Sequence, residues 1–141
     1  MKKILIATHG EFAEGIMSSA EIILGKQENL FFINAHVDHI PVAEKIETFL
    51  EENVSEDDNL IIITDVFGGS VNQTAIRYLS SGKVNIITGF NLPLLLELIM
   101  LNESDITPEK LKEVTKKSKE QIIYVNDELL KVNDEDDDFD L

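Results

Sequence analysis

The sequence predicts an α/β protein: an open, mostly parallel sheet covered by helices on both faces. Three observations predict it. Runs of four residues, apolar or nearly so and too short for helices, recur at 4–7, 30–33, 60–63 and 84–87. Segments with apolar residues at helical spacing lie between them, and regular alternation of strand and helix implies a parallel sheet. The strongest run, Leu60, Ile61, Ile62 and Ile63, is wholly apolar with three β-branched residues, as expected of a strand covered on both faces.

The first strand, Ile4 to Ala7, is followed at once by Thr8, His9 and Gly10. Phe12, Ile16, Ala20, Ile23 and Leu24 then mark the core face of a helix that stops at Gly25. Leu30, Phe31, Phe32 and Ile33 form the second strand. A loop with His36, Asp38 and His39 leads to Pro41, suited to a first helical turn, and to a helix with Val42, Ile46, Phe49 and Leu50 inward. The third strand runs into Thr64, Asp65, Val66, Phe67, Gly68, Gly69 and Ser70, and a helix through Val71, Ala75, Ile76 and Leu79 is expected to end near Ser81 and Gly82. Val84, Asn85, Ile86 and Ile87 are the fourth strand. Asn91 caps a helix over 92–101 that is apolar on nearly every side, so it is buried in its own domain or in a subunit interface. Thr107, Pro108 and Glu109 supply a cap, a first-turn proline and an acid that complements the helix dipole, and open a helix bearing five lysines between 110 and 119. Ile122, Ile123, Tyr124 and Val125 read as a last strand.

At 141 residues the chain suits one domain, here residues 1–132, and buries roughly 70% of its unfolded surface. The acidic tail, 133–141, is too charged to pack and is expected to be disordered. Mean hydropathy is near zero. The chain has no apolar run of about 18 residues, the length that spans a bilayer. Its N-terminal apolar stretch is too short for a signal peptide, and it has no cysteine, so a cytoplasmic location is expected. The net charge of −15 argues against nucleic acid, whose phosphates need a basic surface. Six acids lie in the tail; without them 21 still face 12 bases. An acidic body favours a basic protein partner steered in by charge.

If the first and third strands are neighbours at the point where the strand order reverses, His9 and Asp65 open onto one crevice at the carboxyl edge of the sheet, where ligands bind in such folds. A carboxylate bonded to one ring nitrogen fixes the histidine tautomer and leaves the other nitrogen as a nucleophile. Gly68 and Gly69 permit a tight turn, and the helix start at Ser70 offers free N–H groups to an anion. Together these suit transient phosphorylation of His9, since phosphoryl transfer needs mainly positioning and charge stabilisation. No GxxxxGK[ST] loop is present to bind a nucleotide, so the phosphoryl donor would be another phosphoprotein. Taken singly, each signal also has an ordinary reading. The histidine reads as structural, Asp65 as a turn or helix cap, and the glycines as a plain βα turn. Joint occurrence at two strand ends is what points to a site. His36 and His39, three apart in a loop without further ligands, read as surface residues rather than a metal site; no metal or cofactor is expected. A receiver domain phosphorylated on Asp65 would need an acidic pair after the first strand to bind Mg²⁺, where Thr8 and His9 stand instead. A hydrolase using His9 and Asp65 on water lacks an evident metal site or second base.

THG after the first strand, DVFGGS after the third and GFNLPLLLE after the fourth closely resemble the mannose-family (mannose/fructose/sorbose) IIA component of the bacterial phosphoenolpyruvate-dependent sugar phosphotransferase system. AEIILGKQENL, after the first helix, looks like the same family's segment. The resemblance runs from Lys2 to about Val125. It implies that His9 accepts a phosphoryl group from the phosphocarrier protein HPr on Nε2 and passes it to a histidine of a IIB component. It implies that Asp65 holds Nδ1 of His9. Gly68, Gly69 and Ser70 would line the phosphate site, with Thr8 and Gly10 shaping the loop around His9. A homodimer is also implied, its last, antiparallel strand exchanged between subunits. IIB would be a separate chain, and the membrane IIC and IID components indirect partners. Two positions depart from the family pattern GGSP-x-N: Val71 replaces the proline, and Gln73 stands where the asparagine is common. The alternative from the same resemblance is the phosphotransfer subunit that feeds a dihydroxyacetone-kinase-type soluble kinase.

Overall fold

The computed structural model of the chain describes residues 1–79 and 83–135, with side-chain surroundings through Lys131. Four parallel strands, β1 (Lys2–His9), β2 (Leu30–Ala35), β3 (Asn59–Thr64) and β4 (Val84–Thr88), form one sheet in the order β2-β1-β3-β4. The chain steps from β1 outward to β2, crosses back to β3, and continues to β4 on the other side. The order therefore reverses between β1 and β3. This is the adjacency the crevice argument required, and the register sets Ala7 beside Thr64 at the carboxyl edge.

Side chains alternate faces along a strand, and here both faces are covered. Ile4, Ile6, Ile61 and Ile63 face a core built with α1 (Phe12–Leu24), α4 (Leu92–Met100) and α5 (Pro108–Lys119). Leu5, Ala7, Leu60 and Ile62 face the other core, built with α2 (Val42–Asn53) and α3 (Ser70–Ile76). The apolar helix α4 buries Leu94, Leu95 and Leu98 within its own domain. Its C-terminal carbonyls are met by the Lys2 ammonium, which donates to Leu98, Ile99 and Leu101 at 2.8, 2.6 and 2.7 Å. That cation offsets the negative end of the helix dipole and ties the start of β1 to α4.

Asn91 and Thr107 cap α4 and α5 through hydrogen bonds from the Leu94 and Lys110 amides. Pro41 is the N-cap of α2, one residue earlier than expected, with ψ at 145°. α3 ends at Ile76 rather than past Leu79, because the amides of residues 77–79 bond three residues back and tighten the last turn. Its expected stop at Ser81 and Gly82 lies outside the described residues. The lysines of α5 lie on its outer side, with Leu111, Val114 and Ser118 inward.

The expected strand over 122–125 is not formed. Residues 122–124 have no strand pairing, and Val125 opens α6 (Val125–Glu135). A strand needs a neighbour to take its amides and carbonyls, and no such neighbour is found among the described residues of the single chain. Ile122 and Tyr124 are instead 75% and 68% exposed. The acidic tail lies outside the described residues apart from its first three positions, which continue α6.

Candidate functional site at the carboxyl edge of the sheet

β1 delivers His9 and β3 delivers Asp65 to the same rim. The Asp65 carboxylate accepts two hydrogen bonds on Oδ2, from the His9 amide at 3.0 Å and from His9 Nδ1 at 2.9 Å, while Oδ1 accepts the Val66 amide at 3.1 Å. Burial works against the charge on Asp65, but the hydrogen bonds from His9 outweigh it and hold the carboxyl below its usual value. The Asp65 side chain is 12% exposed and that of His9 46%, so the carboxylate is set back and the imidazole stands forward. With Nδ1–H donating to Asp65, Nε2 keeps its lone pair and faces Ser70 Oγ.

The glycines and hydroxyls around this pair play separate parts. Thr8 is fully buried, and its Oγ1 accepts the Ala13 amide at 2.8 Å. It fastens the start of α1, whose N-cap Glu11 gives no side-chain cap. Gly10, at φ +60°, donates its amide to Ala35 O at 2.9 Å and turns the chain out of β1. Thr8 and Gly10 therefore shape the loop, and the Thr8 side chain does not reach the crevice. The amides of Gly68 and Gly69 are already taken, by Asn72 Oδ1 at 3.1 Å and Val66 O at 3.0 Å. Gly69 matters by its lack of a side chain, since a Cβ there would lie 3.2 Å from Val66 O and 3.7 Å from His9 Cε1. Ser70, the first residue of α3, is the one of the expected residues that reaches the His9 ring, with Oγ 3.4 Å from Nε2. The first amides of any helix lack an acceptor within it; that of Ser70 belongs to an exposed residue, whereas Val71 is fully buried.

Two groups were not foreseen. Asn72, 2% exposed, accepts the Gly68 amide and donates to Thr64 Oγ1 at 3.2 Å, while Gln73 Nε2 donates to Gly68 O at 2.9 Å. Two amide side chains thus staple Gly68 by both its backbone groups. The second group is His36, read from the sequence as a surface residue. It is exposed, yet its ring lies 5.1 Å from that of His9 and its Nε2 is 3.0 Å from Ser70 Oγ. Among the described residues it is the sole non-glycine with positive φ, at 62°. Its place follows from the register: His9 pairs with Ala35, so the residue after β2 falls at the same rim as His9. Asp38 turns away to Lys45 at 3.0 Å, and no cluster of three or more His, Asp or Glu that could hold a metal is found among the described residues.

The family described as PTS system fructose IIA component matches residues 3–116. The chain is similar to the mannose-specific EIIAB component of the PTS from Escherichia coli K12, with 32% identity over 109 residues, 72% of this chain. It spans about a third of that relative's length, 32%. It is similar end to end to the fructose-specific EIIA component of the PTS from Bacillus subtilis, 26% identical over 94% of this chain and 92% of that protein. Among solved structures, the PTS IIA protein associated with the fucose utilization operon of Streptococcus pneumoniae superposes with a TM-score of 0.78 at 30% identity, covering 91% of this chain and 96% of that one.

Proposed function

The chain belongs to the mannose/fructose family of phosphotransferase-system IIA components, and we propose on that basis that it is a phosphocarrier for sugar uptake, accepting a phosphoryl group from phospho-HPr on Nε2 of His9 and passing it to a IIB component. The observation that carries the reading is the 2.9 Å bond from His9 Nδ1 to Asp65, with Nε2 keeping its lone pair. The Nε2 lone pair attacks phosphorus. An Nε2–P bond forms as the bond from phosphorus to its carrier atom on HPr breaks, and the departing atom keeps the electron pair. Asp65 holds the Nδ1 proton throughout and offsets the positive character that the phosphorylated ring acquires. Ser70 turns its hydroxyl from Nε2 to a phosphoryl oxygen, and its own amide at the start of α3 faces the remaining charge. Transfer to IIB is the same displacement in reverse sense, with a nucleophile of IIB attacking phosphorus and His9 Nε2 recovering its pair.

The surroundings suit partners that come and go. Val66 and Phe67, in the loop that follows Asp65, and Phe12, at the start of α1, are exposed, Phe67 by 80%. A small apolar rim within a surface of net charge −15 fits a basic protein met by steering and released readily. No helix among the described residues is long and apolar enough to cross a membrane, in keeping with a carrier that works in the cytoplasm and reaches IIC and IID only through IIB. The exposed 122–124 stretch and the free edge of β4 support a homodimer in which this stretch becomes an antiparallel strand on the partner's sheet.

The test is to incubate the protein with phosphoenolpyruvate, enzyme I and HPr and compare it with His9→Ala. Label is expected on the wild type alone; label retained on the variant would remove His9 from the mechanism.

A further inference from the structure

We propose that His36 is a second phosphoryl-contacting residue, which donates a hydrogen bond from Nε2 to an oxygen of the phosphoryl group carried on His9. The inference deepens the phosphocarrier reading and rests on it. Three observations lead to it. Ser70 Oγ sits between two imidazole nitrogens, 3.4 Å from His9 Nε2 and 3.0 Å from His36 Nε2. One oxygen atom in that space therefore reaches both rings, and a phosphoryl group bonded to His9 Nε2 places oxygens in it. The two ring centroids are 5.1 Å apart and the rings tilted by 33°, so the His36 ring lies against that of His9. Finally, His36 holds a left-handed backbone, φ 62°. A non-glycine residue adopts that conformation at a cost, and such strain persists where the surrounding structure holds it, often at functional sites. Here that backbone turn falls directly after β2, whose last residue Ala35 is paired with His9.

The chemistry is a hydrogen bond, with no bond to His36 made or broken. In the resting site the Ser70 hydroxyl occupies the place. On phosphorylation it rotates, and His36 Nε2–H turns to the incoming oxygen. A donor aimed at phosphoryl oxygens stabilises the charge they carry during transfer, as Arg, Lys or metal ions do elsewhere. Asp38, on the same loop, is engaged by Lys45 and the Ile40 amide, so it does not draw His36 away.

The experiment measures the initial rate of label transfer from phospho-HPr to wild type, His36→Ala, His36→Gln and His9→Ala, with thermal unfolding of each and ring ¹⁵N NMR of the wild type before and after phosphorylation. His36→Ala is expected to accept label about tenfold more slowly, a fraction of what a fully enclosed donor supplies, with its unfolding midpoint little changed. His36→Gln, which keeps an N–H donor of similar reach, is expected to recover most of the rate. The His36 ring signals of the wild type are expected to move on phosphorylation. Wild-type rates in His36→Ala would overturn the inference while leaving the carrier reading intact. Equal losses in the Ala and Gln variants, with the His36 ring signals unmoved, would overturn it in favour of a purely structural role. Absence of label from the wild type itself would overturn the carrier reading and this inference together.

Discussion

Replacing Asp65 with Asn probes the pair on which the chemistry depends. The carboxylate takes two hydrogen bonds from His9, at 3.0 Å from its amide and 2.9 Å from Nδ1. An amide of the same shape is neutral, and its NH2 must face either the His9 N–H or the Val66 N–H that the carboxylate accepts. The Nδ1–H form of His9 then loses its charged partner, so the Nε2 lone pair that attacks phosphorus is held less firmly in place. A hydrogen bond to a charged group contributes about 1.5–3 kcal/mol, and each 1.36 kcal/mol at the barrier is about tenfold in rate. The expected loss is therefore about 10- to 100-fold in the initial rate of phosphoryl acceptance from phospho-HPr. Folding should suffer less, by about 1 kcal/mol, because the exposed imidazole regains its hydrogen bond from water. The sign with pH follows from the lowered carboxyl of Asp65. The stability it contributes is present above an unfolded value of about 3.9 and fades as pH falls through the folded one. Wild type and variant should thus converge in stability in acid. An unchanged transfer rate in Asp65→Asn would refute the tautomer argument. A rate loss no larger than the loss of folded protein would make Asp65 a structural brace.

Two further outcomes follow from groups behind the site. Asn72→Ala removes both the acceptor for the Gly68 amide and the donor to Thr64 Oγ1 from a buried position; a cost of about 2–3 kcal/mol should appear in urea unfolding, with slower transfer as the Gly68 turn loosens. Asp58 accepts from Lys3 Nζ and the Ser55 amide, both at 2.9 Å, and the Ser55 amide and Lys3 hold its carboxyl well below the usual range. Asp58→Asn should therefore destabilise the protein at pH 7, and denaturant titrations should show the gap closing as pH falls below about 4.

Much of this was legible in the sequence because the signals were short-range or topological. Four apolar runs and the helical spacing between them specify a parallel sheet, and the reversal rule for such sheets places His9 beside Asp65. The parts that were not legible depend on what lies across space. Ile122 to Val125 carries strand chemistry, yet residues 122–124 form no strand in the single chain, since strand formation is a property of a pair of segments. His36 reads as a loop residue along the chain. Only the β1–β2 register, which sets His9 beside Ala35, brings it to the rim, and the rule applied to the first and third strands extends equally to the second. At the positions that depart from the family pattern, Gln73 and the neighbouring Asn72 together hold Gly68, a contact that depends on the turn of the backbone and is not legible along the chain.

The central claim is that Asp65 reserves Nδ1 of His9 and leaves Nε2 for the phosphoryl group. Its most direct test is ³¹P–¹⁵N NMR on protein with ¹⁵N-labelled histidine, phosphorylated through enzyme I and HPr. The account predicts a one-bond phosphorus coupling at Nε2 of His9, with Nδ1 still protonated. Coupling at Nδ1, or a phosphoryl group on any other residue, would contradict it.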